Sequence, residues 1–363
     1  FLSICLIKGV MSLQLFLSLG TLGSIACVSA FYGPQIVWTS GMRCPLIKAA
    51  RTLNSPSLGQ NRKRTATLNL LDSVSSPLLR DPAFQDEFHD RQWAINAENF
   101  RGKWSGPTYW YIRNNGKLDL SAPSQEIPGS CYEITFTDSE NGQWKGSGLR
   151  FTNGTKILPL SRKTYNSNGL CFQFPSADGH GGVGGQGSRV LSRFGDAKGK
   201  YPHEINFFNR RTRSMIIVVY TVHDSPGGPR LTLESVAATP FRCQLGCEVG
   251  DRQRLPSLDQ LLRTLQGWQG QRLSFGPQTP LDERRRPSGE FDPKAFTSSA
   301  VSAVLQDNLV LSVPEEVVEG RPFRLTFGCL QAEDLFKQIT ISFDEAGALV
   351  QWAFDEYRPG TRA

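Results

Sequence analysis

The sequence predicts an all-β protein built from two antiparallel β-barrels, each preceded by a short helix. Three observations carry this expectation. Short runs alternate apolar and polar residues, as at Tyr132, Ile134 and Phe136, which is the period of a half-buried strand. Asn-Gly pairs punctuate these runs at Asn115-Gly116, Asn141-Gly142, Asn153-Gly154 and Asn168-Gly169, and such pairs favour tight hairpin turns. A helix-like segment runs into Trp-x-Gly twice, at Trp104-Ser105-Gly106 and at Trp268-Gln269-Gly270, which reads as an internal repeat of one barrel unit.

The elements follow in order. Asp81 and Pro82 suit the N-cap and first position of a helix that ends before Gly102, with Phe84, Phe88, Trp93 and Ile95 on its buried side. Strands are expected at 104–113, 131–137, 144–151 and 170–174, then at 203–209, 214–223 and 230–238, with a tight connection over 209–213. The Gly-rich stretch 179–187 reads as a flexible loop at a barrel mouth. After the Pro- and Arg-bearing stretch 251–256, Ser257 caps a helix over 258–265, where Leu258, Leu261, Leu262 and Leu265 share one face. Strands at 271–275, 309–313, 322–329, 338–343 and 349–354 complete the second unit, and 284–288 is expected as an exposed charged loop. The chain is thus divided into an upstream extension and signal peptide (1–30), a transit peptide or linker (31–80), a first barrel (81–250) and a second, smaller barrel (251–363).

Charge narrows the function classes. The formal net charge of +7 is carried entirely by Lys8, Arg43, Lys48, Arg51, Arg62, Lys63 and Arg64, which precede the first acid, Asp72. The rest of the chain is neutral, so nucleic acid loses its electrostatic warrant. No charge occurs between Gly9 and Met42, and the apolar run 13–28 ends on Val28-Ser29-Ala30, the pattern of a signal peptide and its cleavage site. Ser18, Gly20, Thr21, Gly23 and Ser24 interrupt the run, so no stable membrane span is expected in the mature chain. Met11 is the expected start, with Phe1 to Val10 upstream of it. Phe31-Tyr32-Gly33-Pro34 and an acid-free stretch rich in Ser, Thr, Asn and Arg follow. With Phe31 directly after the cut, this leader resembles the bipartite presequence of plastid proteins in algae with secondary red plastids. It implies the plastid stroma; secretion with a disordered arm is the other reading.

The helix feeding Gly102-Lys103-Trp104 resembles the entry to the barrel of the lipocalin and wider calycin group. In that group the Trp closes one barrel end and stacks on an Arg from a late strand, which makes Arg213 and Arg242 the candidates here. More closely, Glu204-Ile205-Asn206-Phe207-Phe208 followed by Arg211 to Tyr220 is similar to an uncharacterised two-barrel calycin-like family of cyanobacteria and plastids. The likeness spans 85–363. The second copy departs from the pattern, because Gly267 adjoins Trp268 directly. The resemblance implies a fold and no assigned activity.

Catalytic templates are absent from the sequence. His89, His180, His203 and His223 have no metal-ligand spacing and read as structural or solvated. Neither a nucleophile elbow nor a phosphate-binding loop occurs. Gly179 to Gly184 matches G-x-G-x-x-G by letter, without the strand and helix a dinucleotide site needs. Cys131, Cys171 and Cys329 fit strand patterns as small core residues, whereas Cys243 and Cys247 are weak candidates for a metal or redox loop. Asn153-Gly154-Thr155 is a glycosylation sequon.

The expected ligand-binding residues are Trp104, Trp110 and Tyr111 as an apolar wall, Glu204, Arg211 and Arg213 as polar groups, and Trp268 in the second copy. Stacking rings and an Arg would suit a flat, hydrophobic, tetrapyrrole-like molecule or a lipid; the same rings could equally plug the barrel. Three functions remain open: a carrier or pigment-protein assembly factor without turnover, a bilin or chromophore lyase, and a docking scaffold for an antenna or photosystem protein.

Overall fold

The computed structural model describes residues 82–147, 155–162, 171–187, 199–223, 230–243, 257–276 and 284–360, with the backbone alone over 82–89. The expected leader, the sequon at Asn153, Cys247 and the 251–256 boundary lie outside the described residues.

The protein is all-β and antiparallel. Helix α1 (Pro82–Phe100) leads into β1 (Gly102–Ile112), β2 (Gln125–Phe136), β3 (Asn141–Gly146), β4 (Lys156–Ser161), β5 (Phe172–Pro175), β6 (Gly181–Gly187), β7 (Lys200–Asn209), β8 (Thr212–His223) and β9 (Arg230–Cys243). Helix α2 (Leu258–Leu265) then precedes β10 (Trp268–Phe275), β11 (Arg286–Glu290), β12 (Val301–Val304), β13 (Leu309–Val313), β14 (Glu316–Val318), β15 (Phe323–Ala332), β16 (Leu335–Phe343) and β17 (Leu349–Pro359). The first sheet runs β4-β3-β2-β1-β9-β8-β7-β6-β5, with β14 added along β9, and the second runs β11-β10-β17-β16-β15-β13-β12.

Both sheets are meanders whose last strand returns beside the first, β9 along β1 and β17 along β10. That shared plan matches the helix and Trp-x-Gly repeat of the sequence. Each meander leaves a seam, between β4 and β5 and between β11 and β12 among the described residues. Local chemistry sets the turns. Asn115 and Gly116 both adopt positive φ, 50° and 75°, as a tight type I′ turn requires. The Ser257 hydroxyl caps α2 by accepting from the Gln260 amide at 3.2 Å, and Leu261 and Leu265 bury the apolar stripe of that helix.

Several expectations are corrected. The stretch 179–187 is no flexible loop: Gly181 to Gly187 form β6, paired on both sides. Its glycines are steric necessities, since a Cβ at Gly182 would stand 1.9 Å from the Phe174 carbonyl oxygen. The segment expected as a charged loop over 284–288 forms strand β11 from Arg286, although it is exposed. The strand placed at 144–151 is β3 and starts at Asn141. Cys131 and Cys171 are only part-buried, so Cys329 alone of that trio is a core residue. Strands β4, β12 and β14 carry too few alternating residues to be read from the sequence.

The two sheets share one core. Phe172, Phe174, Ile205, Phe207, Ile216 and Val218 of the first pack with Phe275, Leu311, Phe327, Ile339, Trp352 and Phe354 of the second. Burial on this scale dominates folding free energy at about 25 cal/mol per Å². Two buried polar latches join the same layers. Asp307, at φ 60°, accepts from Arg242 Nη2 at 2.9 Å and from the Ser214 hydroxyl at 2.6 Å. Lys337 donates to the Phe208 carbonyl at 2.7 Å, and Glu356 accepts from the Ser176 hydroxyl, the Ala177 amide and Arg285. Burial pushes the Lys337 ammonium down to about 8, opposed by the nearby Glu356 carboxylate.

Candidate functional site

The opposite face of the first sheet forms an interior closed by α1. Side chains on alternate residues of β1, β2, β3, β7, β8 and β9 converge there, including Trp104, Trp110, Ile127, Tyr132, Trp144, Phe208, Ile217 and Phe241. Helix α1 bridges the seam. Trp93 packs edge-on to Phe136 and donates to the Ser139 carbonyl at 2.7 Å, Asp90 pairs with Arg162 just after β4 at 2.6 Å, and Gln92 bonds the backbone of Gln173 in β5. The buried helix face is therefore Gln92, Trp93, Asn96, Asn99 and Phe100, more polar than its expected side.

Strand register arranges the interior in tiers. At one end Arg213, fully buried, lies within 4.3 Å to 5.4 Å of the ring centres of Phe241, Tyr132, Phe100 and Trp104. Trp104 Nε1 donates to the Phe100 carbonyl at 2.7 Å, and the Arg211 guanidinium lies 5.1 Å over the Trp104 ring. A desolvated guanidinium among ring faces gains from each quadrupole. This tier is packed shut. Above it, Thr108 shares hydrogen bonds with Ser130 at 2.7 Å and Thr239 at 2.9 Å.

The next tier is a continuous register row: Trp110 opposes Ala237, which opposes Ile217, which opposes Glu204, which opposes Gln186. Glu204 is 1% exposed. Asn206 Nδ2 donates to Glu204 Oε1 at 2.9 Å, which leaves Glu204 Oε2 and Asn206 Oδ1 buried without a hydrogen-bond partner. Burial pushes the Glu204 carboxyl up to about 7, against the hydrogen bonds from Asn206 and Gln186. The row thus pairs one indole wall with two unanswered acceptors.

The structure brings Trp104, Trp110, Glu204 and Arg213 of the expected residues to this interior, with Arg211 at its closed end. Tyr111 points the other way, into the core between the sheets, where its hydroxyl donates to Gln306 at 2.5 Å. Trp268 belongs to the second sheet and packs with Leu261, Leu265, Phe291 and Tyr357. Cys243 is buried and accepts from Arg211 at 2.5 Å. Sequence reasoning missed Asn206, Gln186 and the Thr108–Ser130–Thr239 cluster. Alternation within the quoted Glu204 to Phe208 run, which puts Glu204, Asn206 and Phe208 on one face, was the signal for Asn206. His203 faces the intersheet core beside Phe343 at 6.1 Å, and burial pushes its imidazole down to about 4. Among the described residues no cluster of three His, Cys, Asp or Glu is arranged to hold a metal, and no helix is long and apolar enough to cross a membrane.

An up-and-down antiparallel sheet curled round an aromatic interior, with a helix across its seam, defines a barrel-like all-β protein. Among solved structures the chain is similar to a protein of unknown function from the DUF3598 family of Nostoc punctiforme, at 18% identity and a TM-score of 0.51, over 74% of this chain and 98% of that one. That likeness is to a cyanobacterial barrel-like fold. A tesB protein of Mycobacterium avium subspecies paratuberculosis aligns at 10% identity over 75% of this chain and 84% of that one, with a TM-score of 0.11, too low to bear on the fold. No family model matches the chain, and no curated protein matches it.

Proposed function

We propose that the interior of the first sheet binds a flat hydrophobic molecule carrying N–H or O–H donors, of the tetrapyrrole type, and that the protein serves as a plastid carrier or assembly factor for pigment proteins. One observation carries this reading: Glu204 Oε2 and Asn206 Oδ1 are buried acceptors without donors on the same face as Trp110. A buried unanswered acceptor costs about 1–3 kcal/mol, a cost that a ligand with paired donors removes. The Trp110 indole offers that ligand a stacking face. The Arg213 tier takes no part in binding and closes the end of the barrel.

The plastid destination rests on the Phe31 leader, and a fluorescent fusion of residues 1–80 tests it by whether the signal enters the organelle. For the site, the full chain is isolated from the organism that makes it, and its extract is examined by absorption and mass spectrometry. A stoichiometric conjugated molecule, lost from Trp110→Ala and Glu204→Leu, supports binding. Discharge of that molecule onto an acceptor thiol would make the protein a chromophore lyase. A clean protein holding only polypeptide partners overturns the proposal in favour of a docking scaffold.

A further inference from the structure

The unanswered groups of the first interior share one chemical sense. Glu204 Oε2 and Asn206 Oδ1 are both acceptors, buried and without a hydrogen-bond partner, and each residue is 1% exposed. The 2.9 Å bond from Asn206 Nδ2 to Glu204 Oε1 ties the two side chains together, so the orphan oxygens flank a single contact. Alternation along β7 turns both residues to the face that carries Trp110 and Ile217. Asn206 also adjoins the hydroxyl tier: it opposes Met215, which opposes Thr239, and Thr239 shares its hydroxyl bond with Thr108.

Charge on this face is sparse and well separated. The Glu204 carboxyl is governed by burial and by the hydrogen bonds from Asn206 and Gln186, with no charged side chain among the influences on it. Arg213 lies four residues along β8 from Ile217, the register partner of Glu204, a span of about 13 Å at strand rise. Its guanidinium is taken up by four aromatic rings. Lys200, four residues from Glu204 in the other direction, is exposed, where solvent and salt screen its field. The face becomes part-exposed at Pro202 and Thr221, so approach is from the end away from Arg213. A buried carboxylate ordinarily has a cation beside it, because desolvating it alone is costly.

Donor arithmetic selects what could answer such a pair. A carboxylate brings only acceptors to acceptors, and a hydroxyl has one hydrogen for two oxygens. A planar, delocalised nitrogen cation has several N–H groups fanned along one edge and no acceptor, and its charge is attracted to an indole face. We infer that the interior of the first sheet takes a flat organic cation, a delocalised protonated nitrogen system whose N–H edge meets Glu204 and Asn206 while its apolar plane lies along Trp110. The inference rests on the reading of this interior as a ligand site and narrows the ligand. A linear tetrapyrrole protonated on its pyrrole nitrogens is of this class; a molecule that presents a carboxylate inward is not.

Isothermal titration calorimetry of the full chain with 2-naphthamidine, 2-naphthamide and 2-naphthoate tests this, because the three share one flat body and one trigonal head and differ in charge and donor count. The amidine is expected to bind about tenfold more tightly than the amide, since charge-assisted hydrogen bonds are about twice as strong as neutral ones, and the naphthoate should bind most weakly. Glu204→Gln keeps the shape and removes the charge; it should bring the amidine and the amide within about twofold of each other. Lys200→Gln, at the mouth, should leave the order unchanged. An amide or naphthoate that binds as tightly as the amidine overturns the inference and leaves the ligand site standing, and this order is decided on the unaltered chain even if Glu204→Gln does not fold. An amidine preference that persists in Glu204→Gln overturns it as well, since the cation is then held elsewhere. Absence of binding by all three removes the site and the inference together.

Discussion

Gln92 on α1 serves the backbone of Gln173 in β5 with both halves of its carboxamide: Nε2 donates to the Gln173 carbonyl at 3.0 Å, and Oε1 accepts from the Gln173 amide at 2.5 Å. A helix side chain here does the work of a neighbouring strand at the open edge of a sheet. Edge strands are ordinarily covered or blunted, and buried backbone groups must be paired. Gln92→Leu should orphan both groups and cost about 2–4 kcal/mol, read by urea denaturation, with faster amide exchange in β5 and β6. A loss below about 0.5 kcal/mol would mean that the helix is held at the seam by Trp93 and Asp90 instead.

Arg213 stands in its ring cage at the closed end. Arg213→Ala should open a cavity among four aromatic rings and cost about 3–5 kcal/mol. Arg213→Met should cost markedly less, because it refills the volume and removes a desolvated charge. Thermal unfolding of the two variants orders them; equal losses would show that the charge itself, through the rings, holds the tier together.

Titration of the adjacent pair His203 and Glu204 acts in opposite directions. His203 has a folded value of about 4, below its ordinary 6.5, so the unfolded chain alone takes up that proton and stability falls as pH drops from 6.5 toward 4. Glu204 has a folded value of about 7, above its ordinary 4.5, so its contribution is complete below 4.5 and is lost as pH rises to 7. Each effect amounts to about 3 kcal/mol over its window, so the two nearly cancel between them. Glu204→Gln should therefore expose a stability that climbs with pH, and His203→Phe one that declines. Identical pH profiles for the two variants would refute the assignment.

Asp307 is held by Arg242 and Ser214 at a positive φ of 60°. Asp307→Ala strands the Arg242 charge and forces a Cβ residue with no local hydrogen bond into the left-handed region. A loss of about 3–5 kcal/mol is expected. Asp307→Asn should lose less, since Asn tolerates that conformation. Chemical denaturation of both variants checks the order.

In β6 a methyl group is expected to act by position. Gly182 has φ 147°, and a Cβ added there would stand 1.9 Å from the Phe174 carbonyl oxygen, whereas a Cβ at Gly184 would meet the end of the Gln173 side chain at 2.4 Å. Gly182→Ala should therefore destabilise by several times as much as Gly184→Ala, because backbone cannot step aside and a side-chain terminus can. Comparable losses would indicate that the Gln173 side chain cannot step aside.

Local pattern determined much of this protein by itself. Alternation, Asn-Gly turns and the Trp-x-Gly repeat specify an all-β antiparallel chain and both helices, including the 258–265 span to the residue, since these signals depend only on neighbours in sequence. The same parity puts Glu204 and Asn206 on one face. What no local signal contains is which face meets what. That Trp110 turns to an interior while Tyr111 enters a core shared by both sheets follows from the pairing of β1 with β9, which are far apart in the chain. That a Gly-rich run becomes a strand follows from Phe174, Gln173 and Phe208 pressing against it, a steric demand visible only after folding. The buried acceptors of the first interior are likewise tertiary facts: desolvation and partnering are decided by the other sheet or helix that covers a residue, not by the residue itself.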